Sequence, residues 1–166
     1  MNRSFFTLVP LVLVFSQIAF IADAAEQQVP TFTMQPIGQV QRTEGRTLLV
    51  LDEKYQPGLL GLDGWSHVQV IWWFDKNDTP QRRSILQVHP RGDASNPLTG
   101  VFACRAPVRP NLIALTLCKL VSVEGRVIEV ESIDAFDGTP VLDLKPFAPG
   151  LDLVQEVRVP DWTRNR

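Results

Sequence analysis

The feature that most constrains the fold is a series of short apolar runs, each ended by glycine, proline, asparagine or aspartate. The run 68–74, VQVIWWF, is rich in β-branched and aromatic residues, as buried strands are. In 126–131, Ile128 and Val130 alternate with glutamates, which is the pattern of a half-buried strand. Helical periodicity is weak, so we predict an all-β fold, an antiparallel barrel or sandwich. The predicted strands are 39–50 in two pieces around a Glu44-Gly45 turn, 68–74, 84–88, 112–123, 126–131, 141–144 and 154–159.

The longest predicted strand, 112–123, carries two different faces. Ile113, Leu115 and Leu117 form one face, and the residues between them form the other. Lys119 then interrupts the apolar pattern, which predicts a bend or a bulge at that point.

The first 24 residues have the three regions of a secretory signal peptide. Arg3 supplies the positive charge, 5–21 is an apolar run, and Ala22-Asp23-Ala24 is the small-x-small pattern before a cleavage site. We predict cleavage before Ala25 and export to the periplasm or the outside of the cell. An uncleaved membrane anchor is the alternative, since the run approaches the ~20 residues that a membrane span needs. The predicted organisation is a signal peptide at 1–24, a linker at 25–35, a barrel domain at 36–160 and a loose tail at 161–166.

Charge and cysteine content narrow the function classes. The chain has 16 Lys and Arg against 18 Asp and Glu, a net charge of −2. This balance argues against a protein whose whole surface binds nucleic acid, although a local basic site is compatible with it. Cys104 and Cys118 are either a disulfide, which export would permit, or two separate buried thiols. His67 and His89 have no cysteine or histidine at metal-ligand spacing, so no metal site is predicted.

The segment 100–111, GVFACRAPVRPN, looks like a binding loop. It contains Arg105 and Arg109, together with Pro107 and Pro110. Proline fixes its own φ and restricts the residue before it, so the loop should hold both guanidinium groups in set directions. Such groups bind carboxylates or phosphates, or stack on flat rings. Salt bridges to surface carboxylates are the structural alternative.

The segment 134–146, DAFDGTPVLDLKP, gathers the opposite charges. Asp134, Asp137 and Asp143 lie around an Asp-Gly turn, close to Lys145. The structural interpretation is an Asx-turn in which Asp137 caps its own backbone, with Asp143 paired to Lys145 or to an arginine. If the two segments meet, they could line a pocket for a zwitterionic or nucleotide-like ligand.

Aromatic residues at the end of the 68–74 strand could provide one apolar wall of that pocket. Trp72, Trp73 and Phe74 suit a flat ring, while packing in the core is the alternative, above all for Trp73 and one neighbour. The sequence has no G-x-S-x-G motif and no Gly-rich phosphate loop, which leaves covalent and ATP-driven chemistry without support.

At these two segments the sequence resembles the TrmO-like (TsaA-like) proteins. GVFACRAPVRPNLIALT is similar to their GVFATRSPxRPNPIGLS, and IDAFDGTPVLDLKPF to their LDxxDGTPVLDIKPY. GLDGWSHVQVIWWF and VHPRGD are weaker matches in the same order. Among the differences from the family motifs, Leu112 replaces a proline, Ala114 a glycine and Phe147 a tyrosine. In addition, the family's N-terminal QPG element has no counterpart in 37–50.

The resemblance implies a small antiparallel β-barrel that is usually a homodimer and binds S-adenosylmethionine. Family members methylate N6 of a modified adenosine beside the tRNA anticodon, so tRNA would be a partner if this chain were cytoplasmic. Because methyl transfer needs in-line alignment with the S–CH₃ bond, positioning can dominate the chemistry. An exported, non-catalytic small-molecule or nucleotide-binding barrel is the alternative function.

The resemblance also implies site residues. Arg109, Asn111 and Lys145 would be the remaining polar groups of the site, and Asp137 is the candidate general base. The implied cofactor contacts are Phe74, Asp75, Lys76, Arg105, Ile113, Asp134, Ala135, Phe136 and Asp137.

Overall fold

Six antiparallel strands close into a barrel in the computed structural model, which describes residues 30–164. The predicted signal peptide lies outside the described residues. The strands are β1 Gly38–Thr43, β2 Arg46–Leu51, β3 His67–Trp73, β4 Gln87–Val88, β5 Thr99–Gly100, β6 Ile113–Glu124, β7 Val127–Val130 and β8 Pro140–Pro146. The barrel order is β1-β2-β7-β6-β3-β8, while β4 and β5 form a separate two-stranded sheet. These findings confirm the predicted all-β barrel.

Two short helices and several turns connect the strands. Helix α1 is Pro80–Arg83 and α2 is Pro149–Asp152. Thr79 caps α1, since its side chain accepts a hydrogen bond from the Arg82 N–H at 3.2 Å. No helix within residues 30–164 combines the length and the hydrophobicity that a membrane crossing requires. Single 3-10 turns lie at Glu53–Leu59, Leu62–Gly64, Asp75–Asn77, Pro90–Gly92, Val101–Ala103 and Asp161–Thr163.

The barrel interior is filled by alternate residues of the strands, as the period-2 pattern predicts. In β6, Ala114 and Cys118 are buried, whereas Ile113, Leu115 and Leu117 are exposed. Each fully buried Val or Leu contributes about 1.5–3 kcal/mol relative to exposure. The core comprises chiefly Val40, Leu49, Leu51, Val68, Val70, Trp72, Ile128, Val130 and Val141.

The structure corrects the predicted strands at two places. In 84–88 only Gln87–Val88 is a strand, because Ser84 still belongs to the end of α1. The predicted strand 154–159 is absent, and these residues are exposed. A closed barrel has no free edge to which another strand could add. The predicted irregularity of β6 is present, since its register with β7 shifts between Leu120 and Ser122.

The core prediction for the aromatic run is wrong for Trp73. Trp72 points into the barrel, where its Nε1 donates to Thr116 Oγ1 at 3.0 Å. Trp73 is half-buried on the outside, because successive residues of a strand face opposite sides of the sheet.

The two cysteines are separate thiols, as the second alternative has it. Cys118 lies in the barrel core, where burial raises the pKa of its thiol to about 11. A thiol with such a pKa stays protonated near neutral pH and is a poor nucleophile.

Candidate functional site

The end of β3 forms the first part of the candidate site. Phe74 follows the strand, and its N–H donates to the carbonyl oxygen of Leu112 at 2.9 Å. Its ring packs edge-on against Trp72, with the ring centroids 4.7 Å apart. The chain then turns through Asp75 and Lys76, whose side chains form an ion pair at 3.1 Å. This strand end therefore presents one carboxylate and one exposed ammonium group beside an aromatic ring.

Thr139 joins this strand end to the carboxylate segment, almost at the start of β8. Its side-chain hydroxyl donates a long hydrogen bond to Asp75 Oδ1 at 3.4 Å, although 64 residues separate the two in sequence. Thr139 is buried, so the contact is made inside the protein rather than across solvent. Phe74–Lys76 and the turn before β8 consequently lie at the same end of the barrel.

The carboxylate turn, residues 134–139, lies just before β8 and forms hydrogen bonds with β1. The Val40 N–H donates to Thr139 O, the Gly138 N–H donates to Val40 O, and the Arg42 N–H donates to Asp137 Oδ1, each at 2.9 Å. Asp137 therefore caps β1 and not its own backbone, which corrects the Asx-turn interpretation. Gly138 has a φ of 78°, the left-handed region that glycine adopts at no steric cost.

The Arg42 guanidinium fastens the carboxylate turn from the side. Its Nη2 donates to the carbonyl oxygens of Ile133 at 2.8 Å and Ala135 at 2.9 Å. Hydrogen bonds from a charged donor are stronger than neutral ones, so this clamp fixes the backbone on both sides of Asp134. The fixed backbone leaves the Asp134 carboxylate and the Phe136 ring facing solvent, and Phe136 is 69% exposed.

The arginine loop, residues 104–111, is held differently. Arg109 donates to Ala106 O at 3.5 Å and to Val101 O at 3.4 Å, and Arg105 donates to Leu115 O at 3.4 Å. These distances exceed the usual 2.7–3.2 Å range of N–H···O bonds. Within residues 30–164 neither guanidinium forms an ion pair, and the Asn111 side chain is exposed. The loop thus has cations available for a ligand.

The far end of the arginine loop is anchored by Arg83 of α1. Its Nη1 donates to Pro110 O at 2.7 Å, and its Nε pairs with Asp78 at 2.8 Å. The guanidinium also lies 5.2 Å from the Trp73 ring centroid, and Trp73 Nε1 donates to Asp78. The hydrogen bonds from Arg83 and then Trp73 lower the pKa of the Asp78 carboxyl.

Ile113 and Lys145 lie on the outer face of the sheet formed by β6, β3 and β8, apart from the carboxylate turn and the arginine loop. Ile113 pairs with Trp73, and Lys145 pairs with Gln69. Lys145 forms an ion pair with Asp143 at 3.0 Å, as the structural interpretation of that segment predicts. Leu115 and Leu117 are exposed between these groups.

Comparison with known families bears on this geometry. A sequence model described as the tRNA-methyltransferase O (TrmO) N-terminal domain matches residues 26–153, most of the chain. The chain belongs to this TrmO N-terminal domain family.

Relatives of this TrmO-type domain differ in length. A protein named as a probable S-adenosyl-L-methionine-binding protein of Methanocaldococcus jannaschii is 42% identical over 121 residues, 73% of this chain and 96% of that protein. The human tRNA (adenine(37)-N6)-methyltransferase is 44% identical over 102 residues, 61% of this chain and 22% of that enzyme. A crystal structure of TrmO from Pseudomonas aeruginosa has 30% identity and a TM-score of 0.60, with 78% of this chain and 62% of that chain covered. The chain thus spans less than two thirds of the solved TrmO.

In this TrmO-type domain the predicted site residues fall into groups. The structure brings Phe74–Lys76 and the carboxylate turn together through Thr139. Within residues 30–164, no hydrogen bond or ion pair connects Arg105, Arg109 or Asn111 to that turn. Sequence reasoning missed Arg42, Thr139 and Arg83. Thr139 was within the DGTP motif, while the two arginines carry no local signal for contacts 91 and 27 residues away.

Proposed function

We propose that this domain binds S-adenosylmethionine at the barrel end formed by Phe74–Lys76 and the carboxylate turn, and that it transfers the methyl group. The Thr139–Asp75 contact is the observation that carries the proposal, because it unites two segments that the family resemblance implicates separately. The names of the archaeal and human relatives support the cofactor and the reaction class.

The residues at this end fit the chemistry of the cofactor. Carboxylates such as Asp75 and Asp134 accept hydrogen bonds from an ammonium group and from ribose hydroxyls, and they favour a nearby sulfonium charge. The exposed ring of Phe136 offers a face for a flat base. Arg105 can take a carboxylate in bidentate fashion, and its guanidinium has one long contact to Leu115 O at 3.4 Å. The proposed cofactor contacts also include Lys76, Ile113 and Ala135.

The chain's own contribution to the reaction is positioning. When bound, S-adenosylmethionine supplies a methyl group on a sulfonium, which needs an acceptor aligned in line with the S–CH₃ bond. We assign Arg109, Asn111 and Lys145 to holding the acceptor. Asp137 is the proposed general base, through the carboxylate oxygen that does not accept the Arg42 N–H.

The acceptor and the compartment are separate parts of the proposal. N6 of an adenosine in tRNA is the acceptor that the names of the human and mouse relatives indicate. Residues 1–24 argue for export, and an exported protein would not meet tRNA outside the cytoplasm. Edman sequencing of the protein isolated from separate cell fractions distinguishes an exported protein from a cytoplasmic one. We expect an N-terminus at Ala25 outside the cytoplasm, and an intact Met1 in the cytoplasm would restore the tRNA acceptor.

Calorimetric titration of residues 25–166 with S-adenosylmethionine tests the cofactor. We expect saturable binding, and Asp134→Asn should weaken it at least about tenfold because charged hydrogen bonds carry about 1.5–3 kcal/mol. Asp63→Asn, an exposed carboxylate in the Leu62–Gly64 turn, is the matched control. No binding at millimolar cofactor would leave the alternative, an exported barrel without catalysis.

Arg105→Ala tests where the cofactor carboxylate lies. We expect weaker binding of S-adenosylmethionine with little change for its decarboxylated analogue, because only the former has the carboxylate. Arg158→Ala removes an exposed arginine beyond the matched domain and should change neither. Equal affinity of wild type and Arg105→Ala for S-adenosylmethionine would remove Arg105 from the site.

The homodimer is also a proposal, supported by the outer face of β6. Ile113, Leu115 and Leu117 are 38%, 43% and 48% exposed and lie in one row. We expect light scattering to give a dimer mass for wild type and a monomer for Leu117→Glu, since a charge in an apolar interface is costly. Leu60→Glu, at a site that is 97% exposed and outside the sheet, is the control.

A further inference from the structure

A large cavity lies beside the arginine loop, apart from the proposed cofactor site except where Arg105 borders it. It has a volume of about 1020 Å³ and is lined by residues of three segments, 85–92, 103–108 and 162–163. Sites for small organic molecules have volumes of roughly 300–1,000 Å³. The cavity is therefore large enough for one such molecule.

Most of the cavity wall is apolar. Ile85, Val88, Pro107 and Val108 line it, and Trp162 contributes an aromatic side chain from the C-terminal turn Asp161–Thr163. That turn is locally braced, because Thr163 Oγ1 donates to Pro160 O at 2.7 Å and Arg164 pairs with Asp161 at 3.3 Å. Trp162 is half-buried. A wall of this kind suits a flat apolar body.

The charge lining the cavity is entirely basic. His89, Arg91 and Arg105 line it, and no Asp or Glu is among its lining residues in the described chain. Asp93 lies near Arg91 and His89 without lining the cavity, and its carboxylate accepts hydrogen bonds from Ser95 N at 2.8 Å and Ser95 Oγ at 2.6 Å. His89 Nδ1 is 2.7 Å from Asn96 O, so the ring donates there.

This lining disfavours the proposed cofactor and favours an anion. The sulfonium and ammonium groups of S-adenosylmethionine are repelled by a basic wall without carboxylates, so only the carboxylate of the cofactor would approach it, at the shared Arg105. An organic anion would gain from the same cations, and a flat apolar body would bury itself against Trp162 and the aliphatic wall. The cavity and the cofactor site therefore differ in the charge that they select.

We propose that this cavity is a second ligand site, which binds a small organic anion with a flat apolar body, such as an aromatic acid. The site goes beyond the proposed methyl transfer and does not depend on it. Its occupant is recognised by the apolar wall with Trp162 and by the basic groups around it.

The probe pair is anilinonaphthalene sulfonate and its neutral analogue N-phenylnaphthylamine, titrated by fluorescence against residues 25–166. We expect one sulfonate probe per chain and at least about tenfold weaker binding of the neutral analogue. Trp162→Ala should weaken the sulfonate probe about fivefold, as loss of an aromatic contact does. Trp65→Ala removes an exposed tryptophan that does not line the cavity and should have no effect. Thermal melts establish that each variant folds.

A substitution that removes one positive charge completes the test. Arg91→Gln should weaken the sulfonate probe about threefold and leave the neutral analogue unchanged, while Arg158→Gln should change neither. Saturating S-adenosylmethionine should leave the probe bound, with a loss of affinity no larger than that caused by Arg105→Ala. Three results would overturn the proposal: equal effects of Trp162→Ala and Trp65→Ala, equal affinity for the charged and neutral probes, or displacement by S-adenosylmethionine. Binding that falls as the protein concentration rises would assign the cavity to a second copy of the chain instead.

Discussion

The carboxylate turn and the arginine loop are both rich in charge, but the protein holds them in opposite ways. The turn is joined to β1 by backbone pairing, and Arg42 bonds two of its carbonyl oxygens at 2.8 and 2.9 Å. The loop is anchored near its end by Arg83, while its own arginines make contacts of 3.4–3.5 Å. The backbone of the turn is therefore held by short hydrogen bonds, whereas the arginine side chains of the loop are held only by long ones.

The comparison also shows that the anchoring residues are not the motif residues. Arg42 and Arg83 lie outside the two segments that stand out in the sequence, yet each holds one of them in place. The positions of the charged motif residues therefore depend on hydrogen bonds from arginines elsewhere in the chain.

The largest effect is expected at Leu112, where the arginine loop enters β6. Leu112 is fully buried and has a φ of 51°, outside the range that proline can adopt. Leu112→Pro should therefore lower the free energy of unfolding by about 3 kcal/mol or more. Urea denaturation followed by tryptophan fluorescence measures it. Leu98→Pro, at an exposed loop position, is the control, and an equally stable Leu112→Pro protein would contradict the left-handed backbone.

The second effect tests the anchor of the carboxylate turn. Arg42→Ala removes the donor to Ile133 O and Ala135 O and should cost about 1–3 kcal/mol. It should also speed hydrogen exchange in residues 133–139 more than in the arginine loop. Arg42→Lys retains the charge but not the planar fork, so it should recover only part of the loss. Unchanged exchange in the turn would show that the clamp is not needed.

The third effect is smaller and depends on pH. Arg83→Ala should cost about 1 kcal/mol through the bond to Pro110 O. Because the pKa of Asp78 is lowered in the folded protein, its ion pair stabilises the fold above the unfolded pKa of about 3.9 and is lost as the pH falls through the folded value. The stability gap to wild type should therefore narrow below about pH 4. The gap for Arg42→Ala should stay flatter, since its lost acceptors are carbonyls. A gap for Arg83→Ala that is constant from neutral to acid pH would contradict the role of Asp78.

The smallest effect on stability is expected at Phe136, on the exposed side of the carboxylate turn. Its ring is 69% exposed, so Phe136→Ala should change the unfolding free energy by less than about 0.5 kcal/mol. It should nevertheless weaken S-adenosylmethionine several-fold, because the ring is proposed to face the base. Phe102→Ala is the control for a general apolar effect, because it removes a ring that is 78% exposed and lies just before the arginine loop. Equal affinities in both variants would remove Phe136 from the site.

Sequence reasoning reached the barrel because strand alternation is local, and Ala114 and Cys118 face inward as their spacing indicates. It failed for 154–159, whose alternating pattern finds no partner once the barrel closes. It predicted Trp73 in the core. Whether a strand residue points into the barrel depends on the strand register, which the residue type alone does not reveal. It identified the carboxylate turn but not Arg42, because a contact across 91 residues depends on which strands become neighbours.

The central claim is that the carboxylate turn and the end of β3 bind S-adenosylmethionine together. Backbone amide chemical shifts during a titration of isotope-labelled residues 25–166 test it directly. The account predicts that the largest changes cluster at residues 74–76 and 134–139, with none at the Glu53–Leu59 turn. Saturating changes confined to other residues, or changes at only one of the two segments, would contradict it.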